Sequence, residues 1–533
     1  MIQLVSDHII TPLGIGVDAN IQAILEGKSM LKWHEKVHGQ TLVEPLIASF
    51  FDKIEIRKNY SPFESLCIEC AEVAIRKSNI KVDSDKCIFI FSTTKGNIWN
   101  SLWESASKVA RYFDNQVSPI VVSTACTSGV SAQVVAYRLL NAHQYDSAIV
   151  IGCDVQSEFV VSGFQSFKAL SKKTCKPYDA NRDGLNIGEA VATMVLTNKN
   201  TTSGTWNLLG GSVHNDANHI SGPSRTGEGS LRCLQDMQTI VDSKDWACLS
   251  VHGTGTLYND EMESIAIHRA GCDDVPVSAL KGYYGHAMGA AGLLETILTL
   301  HSVEQGILLP TKGYETQGTS YAVNISHEKR TTDKNSVVKL LSGFGGVNAA
   351  VLWSKKNVNT SMNNSKISIE SELTLENEDV VSLYRTKIGN YPKFFKMDKL
   401  SKVGFVASEL LKKQLPENSF DSEKTAVIFA SKSGSLVNDI AYQATIENKE
   451  NYFPSPAIFV YTLPNIVTGE VAIYHKLFGE SLCCILPDEE ALDNLVEVIL
   501  PQSNMTSAIV GWVECPDKDN FVARVKFVKL INR

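Results

Sequence analysis

The sequence predicts an α/β protein whose reactive side chains gather at the ends of buried strands. Three observations carry that expectation. Runs such as Cys87-Ile88-Phe89-Ile90-Phe91 and the stretch from Asp146 to Asp154 are apolar almost throughout, as strands become when both sheet faces are covered. These runs alternate with helical patterns, the order of an α/β sheet. One cysteine and two histidines each follow such a strand, and in open α/β sheets that edge is where ligands bind.

With 533 residues, the chain is too long for one core and suits two to four domains. A net charge of −8 argues against a nucleic-acid partner. The opening MIQLVSDHIITPLG lacks a basic segment followed by an apolar one, so no signal peptide is expected. No apolar run reaches the ~20 residues of a membrane span. The twelve cysteines follow no regular framework, and a reduced, cytoplasmic setting is expected. Cys67 and Cys70 form a lone CxxC inside a helical pattern, which reads as core packing rather than a metal site.

In chain order, a first strand meets a Thr11-Pro12-Leu13-Gly14 turn, and a helix from Val17 to Leu25 ends at Gly27. Phe63 to Lys77 is a helix with Leu66, Cys67, Cys70, Val73 and Ala74 on its apolar face. The β-branched run Ile120-Val121-Val122 is a buried strand, and Ser-Thr-Ala-Cys-Thr-Ser-Gly after it permits a sharp turn. A helix follows, with Val130, Val134, Val135 and Leu139 inward. Cys126 therefore sits at a helix mouth, where unpaired N–H groups and a partial positive charge favour a thiolate. A small buried core cysteine fits the same local pattern. Beyond a polar loop, KPYDANRDGLNIGE, Ala190 to Leu196 is a strand. Ala247 to His252 is a strand running into Gly253-Thr254-Gly255-Thr256, with a helix from Asp260 to Ala270. Val275 to Leu280 is a strand before the loop from Lys281 to His286, and Ala287 to Ser302 is a helix. Val337 to Leu341 runs into Ser342-Gly343-Phe344-Gly345-Gly346, and Ala349 to Trp353 is a further strand.

Cys126, His252 and His286 thus lie at or just beyond three strand ends, a candidate nucleophile with two imidazoles. The GFGG glycines would let a backbone N–H approach the same centre. Residues 1–355 resemble the β-ketoacyl-acyl-carrier-protein synthases of the thiolase fold, a layered α-β-α-β-α architecture. The resemblance rests on STACTSG, PYDANRDGLNIGEA, HGTGTLYNDEMES, LKGYYGHAMGAAG and GFGGVN in family order, with PLG and the GKS at Gly27 before them. The Cys-His-His set resembles the elongating branch.

The resemblance implies a decarboxylative condensation of an acyl-Cys126 thioester with a malonyl thioester on acyl carrier protein, in fatty-acid, aryl-polyene or polyketide-type synthesis. A non-elongating acyltransferase and a chain-length-determining partner subunit are the alternatives. It implies that His252 and His286 hold the malonyl thioester carbonyl and that the N–H groups of Cys126 and Phe344 form an oxyanion hole. Lys281 would orient His286 through a network with Glu295, Thr254 and Thr256 would hold pantetheine, and Phe344 would act as a gate. No metal or cofactor is implied beyond the phosphopantetheine on the carrier. Asp260 and Glu263 match family positions and suit loop anchoring, as do Asp179, Arg182 and Asp183. Lys168, Lys172, Lys173 and Lys176 form a basic cluster on an acidic chain, a docking candidate for an acidic carrier or simply a solvated loop.

After a polar linker at 356–370, residues 371–533 repeat what came before. KTAVIFASKSGS echoes KCIFIFSTTKGN, and SAIVGWVE echoes SAIVIGCD. Between them GESLCCIL takes the place of SPIVVSTA by spacing alone, and a helix from Ser401 to Lys412 matches the one at Phe63. The segment from Phe459 to Ser481 has a family counterpart that the first copy compresses between Ser107 and Ser118. The second copy has no STACTSG, and Pro487 and Asp488 fall near the nucleophile position; Cys483 and Cys484 are strand core. It resembles a degenerate, non-catalytic half ketosynthase of the chain-length-factor type. A half fold leaves sheet edges to cover. A pseudo-dimer in cis is therefore expected, with a homodimer as the alternative.

Overall fold

The computed structural model describes residues 1–97, 101–199, 205–356 and 365–531. One sheet of sixteen strands runs through them. Fifteen strands are labelled in chain order. The first five are β1 (Ile2–Thr11), β2 (Cys87–Ser92), β3 (Ile120–Val122), β4 (Ser147–Asp154) and β5 (Ala190–Thr197). The next five are β6 (Asn207–Asn215), β7 (Trp246–Ser250), β8 (Val277–Ser278), β9 (Ser336–Ser342) and β10 (Val347–Ser354). The last are β11 (Lys366–Glu376), β12 (Thr425–Ser431), β13 (Ser481–Ile485), β14 (Ser507–Glu514) and β15 (Val522–Ile531). Their order across the sheet is β8-β7-β9-β10-β6-β1-β5-β4-β2-β3-β13-β12-β14-β15-β11, and Gly14–Ile15 folds back on β1. The expected linker is shorter than its composition implied: 357–364 lie outside the described residues, and the chain is already in β11 from Lys366.

The order β1-β5-β4-β2-β3 recurs as β11-β15-β14-β12-β13. The pairing senses recur too: β2 is parallel to β3 and β4, as β12 is to β13 and β14. Even a turn is repeated. Asp154, ending β4, accepts Thr93 Oγ1 at 2.8 Å and the N–H groups of Thr94 and Lys95. Glu514, ending β14, accepts Ser431 Oγ at 2.7 Å and the N–H groups of Lys432 and Ser433. The two sets meet at an antiparallel seam, where Val121 and Val122 of β3 face Ile485 and Cys484 of β13.

Helices α1 (Pro62–Ser78), α2 (Leu102–Tyr112), α3 (Ser128–Asn141), α4 (Leu257–Arg269) and α5 (Ala291–Glu304) belong to the first part of the chain. α6 (Lys399–Lys412), α7 (Ile466–His475) and α8 (Glu489–Ile499) belong to the second. α3 and α5 lie buried against strands of both the β1–β5 and the β6–β10 sets, touching at Gly129 and Gly292. A Cβ on Gly129 would stand 2.9 Å from the Gly292 Cα, so this crossing requires glycine. α8 follows β13 as α3 follows β3, yet it keeps Glu490, Asn494 and Glu497 in solvent. Its amphipathic pattern suits burial on one face only. Its first turn is capped by Asp488, whose carboxylate accepts the Ala491 N–H at 2.9 Å.

The region thought to be compressed in the first copy is a helix, α2. What that copy does without lies earlier, between β2 and α2. The second copy there carries an arm, residues 436–462, with short helices at Leu436–Gln443 and Pro456–Phe459. The arm crosses the seam onto the Glu158–Ser166 helix. Phe459 lies so flat on Gly163 that a Cβ there would fall 2.2 Å from its ring, and Ser162 Oγ and Tyr442 OH are 2.9 Å apart.

Two buried ion pairs also cross. Lys95 Nζ lies 2.7 Å from Asp439. Arg138 of α3 meets Glu480 at 2.8 Å, each side chain 3% exposed. Removing one partner of such a pair strands a charge, at a cost of about 3–5 kcal/mol. Glu480→Ala is expected to lower the unfolding free energy by that order in a denaturant titration. The double variant Arg138→Met/Glu480→Met should recover most of it; equal losses in both would show that the pair is not what binds the two parts here.

Candidate active site

Strand β3 delivers the nucleophile candidate. After Val122 the chain turns sharply, with Ala125 at φ 53°, and a single 3₁₀ turn, Ala125–Thr127, leads into α3. Thr127 Oγ1 and Ser128 Oγ donate back to the carbonyls of Thr124 and Ala125, both at 2.6 Å. Cys126 retains some exposure, unlike the other eleven cysteines. The expected thiolate is corrected by its surroundings. Burial pushes the Cys126 thiol up to about 12, Lys281 opposes that shift, and Asp154 adds to it. Desolvation outweighs the helix terminus, so the resting group is a neutral thiol.

β7 and the loop after β8 bring in the two imidazoles. The Cys126 Sγ and one nitrogen from each of His252 and His286 all lie within 4.8 Å of one another, and the rings meet edge to face at 5.0 Å. The PYDANRDGLNIGEA motif pins His286: its N–H donates to Asn186 O at 2.7 Å and its carbonyl accepts the Gly188 N–H at 3.0 Å. The Met288 N–H approaches His286 Nδ1 at 3.3 Å, which places the ring proton on Nε2. That Nε2 and His252 Nδ1 are buried without a protein partner. Burial lowers both imidazoles well below their usual range, and the Lys281 ammonium lowers them further. Both are therefore neutral near pH 7. The three atoms also form a donor set that could suit zinc, but the cations that depress the imidazoles would oppose a divalent ion.

Beneath the histidines lies a fully buried ion cluster. Lys281 Nζ donates to Glu295 Oε1 at 2.8 Å and to the His252 carbonyl at 2.6 Å. Lys281 thus holds the backbone of His252, where an orienting contact to His286 was expected. Glu295 Oε2 accepts Lys339 Nζ at 2.5 Å. Burial drives the Glu295 carboxyl up, but the two ammonium groups outweigh it and hold it below the usual carboxylate range. Lys339 was missed by the motifs. The available signal was a lysine inside the otherwise apolar run Val337–Leu341, because lysine is almost never fully buried unless paired.

The HGTGT loop hangs on two carboxylates of α4. Glu263 accepts the N–H groups of His252 and Gly253, each at 2.7 Å. Asp260 accepts those of Thr254 and Gly255, at 3.0 and 3.1 Å, and of Tyr178 at 2.8 Å. Burial, then the Asp260 charge, pushes Glu263 up to about 7. α4 begins three residues earlier than its pattern implied, because Thr256 caps it by accepting the Asn259 N–H. Thr254 and Thr256 share a 2.9 Å hydroxyl contact. Asp179 accepts the Asn181, Glu315 and Thr316 N–H groups, Arg182 donates to the Asp179 carbonyl, and Asp183 accepts Ser171 Oγ. All three tie down the polar loop. The GFGG turn lies beside the nucleophile, since a Cβ on Gly343 would stand 3.3 Å from Cys126 N. The Phe344 ring packs on Phe164 and Phe167, with centroids at 6.4 and 5.6 Å, and both of these touch Phe459 of the arm. Lys168, Lys172 and Lys173 are exposed, whereas Lys176 is half-buried and paired with Glu315 at 3.1 Å.

The family description "Beta-ketoacyl synthase, N-terminal domain" matches residues 2–202, and "Beta-ketoacyl synthase, C-terminal domain" matches 207–315. The chain is 25% identical over 402 residues to 3-oxoacyl-[acyl-carrier-protein] synthase 2 of Coxiella burnetii, covering 65% of this chain and 96% of that one. It is 30% identical over 258 residues to the tetracenomycin polyketide synthase ketoacyl synthase alpha subunit of Streptomyces glaucescens, covering 44% of this chain and 59% of that protein. Among solved structures, the ketosynthase ApeO in complex with its chain length factor ApeC, from Xenorhabdus doucetiae, superposes with a TM-score of 0.59 at 22% identity, over 66% of this chain and 97% of that one. The PfaC keto synthase-chain length factor superposes with a TM-score of 0.79 at 12% identity, over 99% of this chain and 78% of that one. No single helix among the described residues is long and apolar enough to cross a membrane. The fold is that of the thiolase-like ketosynthases, and the chain belongs to the β-ketoacyl synthases, acyltransferases that form a C–C bond by condensation in fatty-acid or polyketide synthesis.

Proposed function

We propose that Cys126, His252 and His286 carry that condensation. The observation behind this is the convergence of one thiol and two neutral imidazoles within 4.8 Å. Cys126 Sγ attacks an acyl thioester borne by the phosphopantetheine of an acyl carrier protein, and the carrier thiol leaves with the proton. A malonyl thioester then binds, its C–CO2 bond breaks, and CO2 departs. His286 Nε2–H and His252 hold the enolate oxygen. The carbanion attacks the acyl carbonyl, the N–H groups of Cys126 and Phe344 hold the oxyanion, and collapse expels the Cys126 thiolate, which takes a proton from water to return to the neutral thiol. Neutral imidazoles suit this task, since they are donors that need no counter-ion. Lys281 and Glu295 hold the His252 backbone, Asp260 anchors the loop, and Thr254 and Thr256 line the pantetheine path. No free cofactor enters.

Residues 371–533 act as a non-catalytic half ketosynthase joined to residues 1–355 as a pseudo-dimer in cis. The repeated strand order and the β3–β13 seam support this. Phe459 of the arm, packed on the phenylalanines around Phe344, closes the acyl pocket and limits chain length. Twelve free cysteines fit a reducing, cytoplasmic setting.

Cys126→Ala is expected to abolish acyl loading from carrier, measured by intact mass. His252→Ala should still load but release CO2 from malonyl carrier about 10²-fold more slowly, the usual cost of one oxyanion donor; loss of both steps alike would refute the assignment. Phe459→Ala should shift products to longer chains by mass spectrometry, and an unchanged distribution would remove Phe459 as the stop. Reversing the charges of Lys168, Lys172 and Lys173 should raise KM for the acyl carrier protein severalfold while leaving small thioester mimics alone; an equal effect on both would exclude carrier docking there.

A further inference from the structure

Lys339 is a fully buried cation beside the site to which the condensation chemistry assigns no task. It projects from β9, and its Nζ lies 2.5 Å from Glu295 Oε2, 2.8 Å from the Val251 carbonyl and 3.3 Å from Ser250 Oγ. Lys281 takes the other Glu295 oxygen and the next carbonyl, that of His252. One carboxylate therefore bridges two ammonium groups, and these grip consecutive carbonyls at the strand end that carries His252. Burying a charge is costly unless it is paired, yet two cations here share a single anion. The directly bonded cluster sums to +1.

The surrounding groups do not cancel that excess by direct contact. Glu263, on α4, has its oxygens on the His252 and Gly253 N–H groups and Tyr178 OH. Asp260 beside it lies 4.0 Å from Arg182. Asp154 faces the Cys126 side and is bonded to backbone N–H groups of the Thr93 turn and Gly289. Tyr284 and Cys248 are buried and neutral near pH 7, burial raising both.

We propose that Lys339 is a positioning residue for decarboxylation: its ammonium supplies the excess positive charge that keeps His252 and His286 neutral donors and favours negative charge on the enolate oxygen. This rests on the condensation assignment above. It agrees with the titration behaviour. Burial first, then Lys281, lowers both imidazoles, and Lys339 lowers each further. Burial brings Lys339 itself down to about 8, against the pull of Glu295. The cation is thus present below that pH and lost above it. Without it the imidazoles become easier to protonate, so the pH below which decarboxylation fails must rise.

The test uses the full chain with acyl- and malonyl-carrier thioesters, from about pH 5 to about pH 9.5. Cys126 loading is followed by intact mass and decarboxylation by CO2 release. Wild type should lose CO2 release on the alkaline side near about 8. Lys339→Met, which cannot hydrogen-bond, and Lys339→Gln, which can, both remove the charge. In both, CO2 release near neutral pH should fall about tenfold or more, the acid limb should rise by about half a pH unit or more, and the alkaline limb should vanish. Loading should stay within about threefold of wild type. A parallel fall in both steps with unmoved limbs, or unchanged CO2 release, overturns the role of Lys339. The wild-type profile decides even where neither variant folds, because a rate flat through the alkaline range overturns it too. A wild type that loads Cys126 but releases no CO2 overturns the condensation assignment itself, whereas one that turns over beside variants with unmoved limbs overturns only Lys339.

Discussion

The antiparallel pairing of β3 with β13 is the contact on which the rest depends. An unpaired edge strand exposes a row of N–H and C=O groups and invites association. Here each five-strand set supplies the other's missing neighbour, and Ser123 N–H donates to the Cys483 carbonyl at 3.0 Å just before the turn to Cys126. The strand that presents the thiol is only three residues long and would be weakly held alone. The second part of the chain fixes it along its edge, while α2 and α3 pack against it.

The two repeats share out tasks unequally. The one with the thiol and imidazoles has only a short connection between β2 and α2. The one with an acidic helix cap, Asp488, at the corresponding helix mouth keeps the arm of residues 436–462. The asymmetry has a physical logic, because the arm packs across the seam on the other repeat. It crosses the seam and sets Phe459 against Gly163 and the phenylalanines around Phe344. An arm on the first repeat would reach toward a helix mouth with no thiol to serve.

Charge in the centre is set by burial against pairing, group by group. The thiol is neutral despite its helix terminus, the imidazoles are held neutral by burial and the nearby ammonium groups, and Glu295 is ionised despite being enclosed. In each case the strength of desolvation against nearby charge decides the state. The loop with His252 is held from both sides: carboxylates of α4 take its N–H groups, and ammonium groups take its carbonyls.

Sequence alone determined the α/β class, the strands that lead into Cys126, His252 and Gly343, and the repeat from Lys424 to Glu514. Those features are local: apolar runs, glycine turns and motif order survive in a linear reading. Loop anchoring by Asp260 and Glu263 was legible for the same reason, since each lies within about a dozen residues of the HGTGT N–H groups it accepts. Tertiary structure decided what depends on distant residues. A lysine in a strand becomes a buried partner of Glu295 only when β9 and α5 pack together. The Cys126 thiol stays protonated because surrounding layers exclude water, which no helix-terminus argument captures. Spacing could only propose that GESLCCIL stands for SPIVVSTA; the β3–β13 seam, and Phe459 reaching over it, exist only once residues far apart in the chain meet.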